Sequence, residues 1–337
     1  MSIQITILGL DKIGASTGLA LGRHADQIER TGFDYEHATA MQARKIHAVD
    51  RVELNLPKCV KQADVILLAL PLNLVKETLT TIAPVVRAGV VILDTSPAKQ
   101  SVAAWVSELF PANYHYVGIT PLLDTRYFND QDGSIQSAAL DLFDKGLIAI
   151  ASPEGTDAAA LRLAADLSGL LGASTFFCDM AEMDGFTTST RLLPQLVSSA
   201  LLNSTLNQPG WMDASKFTGA EYAAASSGIA GREESASLSE AALLNKTNLL
   251  RSLDGVVTAL YVLRDDIEND QPRQLEIKME SARDGRLKWW HERQKMDLQG
   301  KELQTGEMPK AGDFWKQQMG FLSRLSGPRG SNPEKKD

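Results

Sequence analysis

Residues 3–14 read Ile3-Gln4-Ile5-Thr6-Ile7-Leu8-Gly9-Leu10-Asp11-Lys12-Ile13-Gly14, and Thr31-Gly32-Phe33-Asp34 follows. The apolar run predicts a strand, Gly9 a tight turn into a helix, and Asp34 stands at the end of a second strand. This is the order of a dinucleotide-binding βαβ unit, in which the helix N-terminus meets a pyrophosphate and the acid meets the adenosine ribose. The middle glycine of G-x-G-x-x-G is Asp11, which puts a carboxylate where phosphate approaches unless it turns away. Gly18 and Gly22 extend the small-residue face that Gly14 opens, as close packing of a helix on a sheet requires. Asp34 favours NAD over NADP, since a carboxylate bonds the ribose 2′-hydroxyl and repels a 2′-phosphate, and Tyr35 and Glu36 rather than an arginine come next.

Composition sets mild bounds. The 337 residues, 44% hydrophobic and 23% charged, are ordinary for a globular chain and long enough for two domains. A formal charge of -8 argues against nucleic acid or an anionic membrane as partner. No apolar run approaches a membrane span, and the N-terminus enters a strand at once, so no signal peptide is expected. Cys59 and Cys178 lie far apart without metal spacing, consistent with thiols in a reducing cytoplasm and with no metal site.

Through about residue 178, β-rich runs alternate with helical stretches, the pattern of a doubly wound, mostly parallel sheet. The runs after the first two are Ala63 to Pro71, Val90 to Asp94, Tyr114 to Ile119, Gly146 to Ala151 and Ser174 to Cys178. Leu123 to Ser134 reads as a loop at the carboxyl ends of the strands, where ligands of such sheets bind. From Met180 the period changes to three and four, so an all-α region is expected. Within it Gly219 to Gly231 is either a turn region or a closely packed helix. Ser235 to Arg264 reads as one long amphipathic helix whose apolar share points to burial against another helix or a second subunit. The expected domains are 1–178, 179–293 and a polar extension, 294–337, with a short helix at 314–325 and disorder from 327.

Taken together, these segments resemble the prephenate and arogenate dehydrogenase family of the 6-phosphogluconate-dehydrogenase-like Rossmann superfamily. The resemblance runs from about residue 3 to about residue 285. Its anchors are Gly9 and Gly14, Gly32-Phe33-Asp34, Ala63-Asp64 through Pro71, Asp94 to Lys99, Thr120-Pro121 with Gly133, Met183-Asp184 and Leu193-Pro194. It implies an N-terminal Rossmann domain, a helical domain that forms a homodimer, and oxidative decarboxylation of a small hydroxylated acid in tyrosine synthesis. It implies a cofactor site at Gly9, Leu10, Asp11, Lys12, Ile13 and Gly14, with Asp34, Leu70, Pro71 and Ser96 completing it.

The chemistry departs from the family pattern. The resemblance places a proton-accepting histidine before the proline of the loop after the fifth strand; here that residue is Thr120, whose hydroxyl does not ionise near neutral pH. Positions carrying family histidines at the start of the helical domain are Met183, Leu192 and Gln195. The family arginine that pairs with a substrate carboxylate is missing from Glu221 to Ala230. Ser96 stands where the family keeps a serine near nicotinamide and substrate and could orient a hydroxyl. Lys99 either supplies a charge there or is a solvated first-turn lysine. The catalytic candidates are therefore Ser96, Thr120 and Lys99, and the substrate-binding candidates Arg191, Gln195 and Asp184. Arg191, one turn before Gln195, could receive an anionic group in place of the lost arginine.

His115 lies five residues before Thr120, so the two point to opposite faces of a regular strand. His24, His37 and His47 show no metal spacing, and Trp289-Trp290-His291 reads as a core edge or dimer contact. Three functions stay open: a dehydrogenase of prephenate or arogenate, a dehydrogenase of another hydroxy acid, and a dinucleotide-binding protein without turnover.

Overall fold

Short runs, most of them apolar, build eight strands, and their order fixes where a ligand can sit. The computed structural model describes residues 2–295 except 111, 112, 131 and 232–234. The expected helix at 314–325 and disordered end from 327 lie outside the described residues, as does nearly all of the polar extension.

The first half alternates β1 (Ile3–Leu8), α1 (Lys12–Leu21), β2 (Ile28–Phe33), α2 (His37–Lys45), β3 (Arg51–Val52), α3 (Leu56–Val60), β4 (Val65–Leu68), α4 (Leu72–Ile82), β5 (Val91–Asp94), α5 (Lys99–Leu109) and β6 (His115–Leu122). β7 (Leu147–Ala151), α6 (Ala158–Leu170) and β8 (Ser174–Phe177) complete it. The sheet order is β3-β2-β1-β4-β5-β6-β7-β8, and every pairing is parallel except β6 with β7. The order reverses between β1 and β4, which opens a crevice at their carboxyl ends. There Gly9 takes a left-handed φ of +92°, and a Cβ on it would stand 2.4 Å from the Ala69 carbonyl oxygen, so only glycine lets the β1 and β4 turns touch.

Alternate residues of each strand feed two cores. On one face Ile3, Ile5, Ile7, Val65, Leu67, Val91 and Leu93 pack with α1, α2 and α6. On the other Ile66, Leu68, Ile92 and Tyr116 pack with α3, α4 and α5, and this second core also takes in Leu192, Leu238, Ala241 and Leu249 from the helical half.

From α7 (Met180–Thr187) on, the described residues form only helices, turns and bends. α7 runs through a π-helical turn (Thr188–Leu192) into α8 (Leu193–Thr205), followed by α9 (Trp211–Ala214), α10 (Ala220–Ser226), α11 (Ser235–Leu244), α12 (Lys246–Glu268) and α13 (Pro272–Lys295). Gly219 to Gly231 resolves into α10 and a 3-10 turn, and Gly228 sits so close to α8 that a Cβ would stand 2.6 Å from Ser198 Oγ. The expected single helix over 235–264 is corrected. It breaks at Asn245, whose buried amide leaves the helical path to donate to the carbonyls of Pro97 and Ala241, at 3.1 and 2.9 Å. With the Ser237 hydroxyl, which accepts from Leu72 N–H at 3.0 Å, this contact ties α11 to the loops after β4 and β5.

A polar cluster at the carboxyl edge of the sheet

Along the carboxyl edge the structure gathers two groups of the sequence-selected residues. The first surrounds the start of α1. Asp34, at the end of β2, accepts the backbone N–H of Leu10 at 2.7 Å and of Glu36 at 2.8 Å, so the acid is fixed against the Gly9 turn. Burial raises its pKa even though both N–H bonds oppose the shift. Leu70 is buried and Pro71 half-buried on the neighbouring turn, where Pro71 opens α4.

Asp11 is the exposed N-cap position of α1. Lys12 is buried: its backbone N–H donates to the Gly133 carbonyl at 3.0 Å, and its ammonium pairs with Asp130 at 2.9 Å. Ile13 is half-buried behind it, and Gly14 lies under the Gly9 carbonyl, where a Cβ would stand 1.9 Å from that oxygen. Ser134, next to Gly133, is buried with a hydroxyl that has no partner among the described residues. Asp34 beside the glycine turn, and Asp11 and Asp130 around the start of α1, are thus acids that a dinucleotide at this edge would face.

The second group joins the sheet to α7. Asp94 ends β5 fully buried; one carboxylate oxygen accepts Ser96 N–H at 2.9 Å, and the other accepts the hydroxyls of Ser96 at 2.7 Å and Tyr116 at 2.8 Å. The Lys99 ammonium donates to the carbonyls of Asp94 at 2.6 Å and Ile119 at 2.8 Å and lies 3.6 Å from the Asp94 carboxylate. At 1% exposure Lys99 is not the solvated first-turn lysine that its position in the sequence suggests. Its stem runs under Gly118, where a Cβ would stand 2.7 Å from Lys99 Cδ. Burial lowers the Lys99 pKa against the pull of Asp94 and Asp184. Burial also pushes the Tyr116 hydroxyl well up, helped by the carboxylate of Asp94.

Asp184 reaches across from α7 and accepts Lys99 N–H at 2.7 Å and Gln100 N–H at 3.1 Å. Burial raises its pKa in spite of those bonds. Its role in the structure is that of an inter-element cap on α5. Thr120, half-buried on the same sheet face, donates to Met183 Sδ at 3.2 Å. Arg191 lies exposed in the π turn, close enough to Lys99 to disfavour its charge, and Gln195 is half-buried one turn further on.

His115 is at the opposite end of β6 from Thr120, with burial lowering its pKa, and so stands apart from this cluster. Burial pushes the Cys59 thiol up to about 12. Among the described residues no group of three His, Cys, Asp or Glu could hold a metal ion, and no helix is long and apolar enough to cross a membrane. Sequence reasoning missed Tyr116 as a partner of Asp94, and within the 123–134 loop it missed Asp130 as the partner of Lys12. The glycine at 118 in an otherwise apolar strand was the available signal that a long side chain crosses there.

Residues 17–176 match the family model described as the nucleotide-binding domain of prephenate dehydrogenase. The first half of the chain is thus similar to the nucleotide-binding domains of the prephenate dehydrogenase family. Prephenate dehydrogenase of Bacillus subtilis is 25% identical over 211 residues, covering 61% of this chain and 54% of that protein. Cyclohexadienyl dehydrogenase of Zymomonas mobilis is 24% identical, covering 59% of this chain and 66% of that protein. The match thus spans about half to two thirds of these family members. In fold, Synechocystis arogenate dehydrogenase superposes with a TM-score of 0.66 at 23% identity, covering 85% of this chain and 100% of that one. Prephenate dehydrogenase from A. aeolicus, in complex with hydroxyphenyl propionate and NAD+, reaches 0.76 at 16% identity over 86% and 98%.

Proposed function

We propose that this protein is a member of the prephenate and arogenate dehydrogenase family, an NAD-dependent cytoplasmic dehydrogenase of a small hydroxylated carboxylic acid of the prephenate or arogenate kind. Residues 1–178 hold the nucleotide, and 179–293 complete the substrate site and form a homodimer. The observation that carries the reading is Asp34, fixed at the end of β2 by Leu10 and Glu36 N–H with the glycine turn beside it. A carboxylate in that place accepts ribose hydroxyls and opposes a 2′-phosphate, which favours NAD over NADP.

Bound NAD supplies the hydride acceptor. Ser96 spends its proton on Asp94, so its oxygen is left to accept the substrate hydroxyl proton's hydrogen bond. Thr120, on the adjoining strand, can turn its hydroxyl from Met183 to the same group. Arg191, an exposed cation at this edge, pairs with the substrate carboxylate. Lys99, with its ammonium on two backbone carbonyls, holds β5 and β6 in place and does not touch substrate.

The test is the near-ultraviolet absorbance of reduced nicotinamide in full-length protein given NAD or NADP with prephenate or arogenate. Turnover with NAD that collapses in Arg191→Ala through a raised KM supports the reading. A second reading, retention of the scaffold for another hydroxy acid or for binding alone, is favoured by Thr120, a non-basic residue held on a thioether. Protein that binds NADH by tryptophan quenching but reduces NAD with neither acid supports that one.

A further inference from the structure

The connection between β6 and β7 is fastened to α1 at three places. Lys12 N–H donates to the Gly133 carbonyl, the Lys12 ammonium pairs with Asp130 at 2.9 Å, and Ala139 N–H donates to Ser16 Oγ at 3.0 Å. Two of these contacts use the first residue of a ten-residue helix, at the end that attracts anions. The connection therefore offers Lys12 three acceptors, the carbonyls of Gly133 and Asp130 and the Asp130 carboxylate, where an anionic ligand seeks donors. The Lys12 side chain is 9% exposed and that of Asp130 37%, so the lysine is the fixed member of the pair and the acid the solvent-facing one. The Tyr127 ring flanks the ammonium, with its centroid 6.0 Å away. Beside them the buried Ser134 hydroxyl has no partner among the described residues.

We propose that the Lys12–Asp130 pair is a latch on the dinucleotide phosphate site: Asp130 holds the lysine in the free protein, and the pyrophosphate takes its place when a dinucleotide binds. The inference rests on the dinucleotide reading above and adds its regulation. Charge bookkeeping explains why exchange is needed. Asp11, Asp34 and Asp130 all lie around the start of α1, and Lys12 is the cation paired there. A doubly charged pyrophosphate added beside an intact Lys12–Asp130 pair would meet three carboxylates, whereas displacing Asp130 gives it the buried ammonium and sends one acid to solvent. Each Lys12–anion contact excludes the other, so affinity for the nucleotide is set by how firmly Asp130 holds.

The experiment measures NADH dissociation constants by tryptophan quenching for full-length wild type, Asp130→Asn, Lys12→Met and the double variant, with circular dichroism as a check on folding. Expected are roughly five-fold tighter binding in Asp130→Asn, roughly ten-fold weaker binding in Lys12→Met, and a Asp130→Asn effect below about two-fold when Lys12 is already Met. Hydrogen exchange supplies a second readout: Ala139 N–H should exchange faster in Asp130→Asn without ligand. Wild type that binds NADH while Asp130→Asn binds equally or more weakly overturns the latch and leaves the dinucleotide reading intact. Failure of wild type and Asp130→Asn alike to bind NADH or NADPH overturns both.

Discussion

The carboxylate of Asp184 on α7 receives the first two backbone N–H groups of α5, those of Lys99 and Gln100, and so fastens the helical half of the chain to the sheet. Both halves also share one core through Leu192, Leu238 and Leu249. Replacing Asp184 by Ala leaves buried donors unpaired and should destabilise the protein by about 2–4 kcal/mol. Asp184→Asn, which keeps one acceptor, should lose about half of that. Urea unfolding of the two variants checks the ratio; equal losses would mean that charge rather than capping is what matters.

Lys99 supplies the counter-charge to a fully buried Asp94. Lys99→Met preserves volume but strands that carboxylate and two carbonyls, and should cost about 3–5 kcal/mol. The joint variant Lys99→Met, Asp94→Leu should recover part of the loss, since removing both charges removes the desolvation penalty with them. A double-mutant cycle in urea measures the coupling.

Asp34 has a folded-state pKa raised above its ordinary value by burial. A raised acid pKa means that the native state holds the proton more tightly than the unfolded chain, so stability falls as pH rises from about 3.8 through the folded value. Asp34→Asn should flatten that part of the stability profile. Because ribose hydroxyls donate to the ionised form, NADH affinity of the wild type should rise with pH across the same window and stay flat in the variant.

Leu260 on α12 is 60% exposed, with Val257 and Tyr261 beside it at helical spacing. An apolar stripe of this kind is where a second copy would seat. Sedimentation should find a homodimer, and Leu260→Asp should shift it to monomer with little change in helix content. A wild-type monomer at micromolar concentration removes this assembly.

Strands of the first half such as β4 and β5 were legible because parallel strands buried on both faces are near-continuous apolar runs, as Val65–Leu68 and residues 91–93 are. β3 was not, since two residues, Arg51 and Val52, carry no periodicity. The break at Asn245 escaped notice because it depends on the carbonyl of Pro97, far away in sequence. Lys99 shows the limit most plainly. Its fate is decided by Gly118 on another strand, and local sequence around a helix start says nothing about what lies across from it. The glycine turn and Asp34 could be read at once because the whole of that unit is local.

β7 runs antiparallel to β6, with Leu122 opposite Leu147. A parallel continuation would carry the chain back under the sheet and spend the connection at its amino edge. The antiparallel return makes the 123–146 connection start and end at the ligand-binding edge, joined there by the Leu122–Leu147 pairing, while Ile135, Leu142 and Phe143 root it in the core. An exchange of this connection between relatives that keeps those three core residues should therefore change what the edge presents to a ligand and leave the registers of the sheet unchanged.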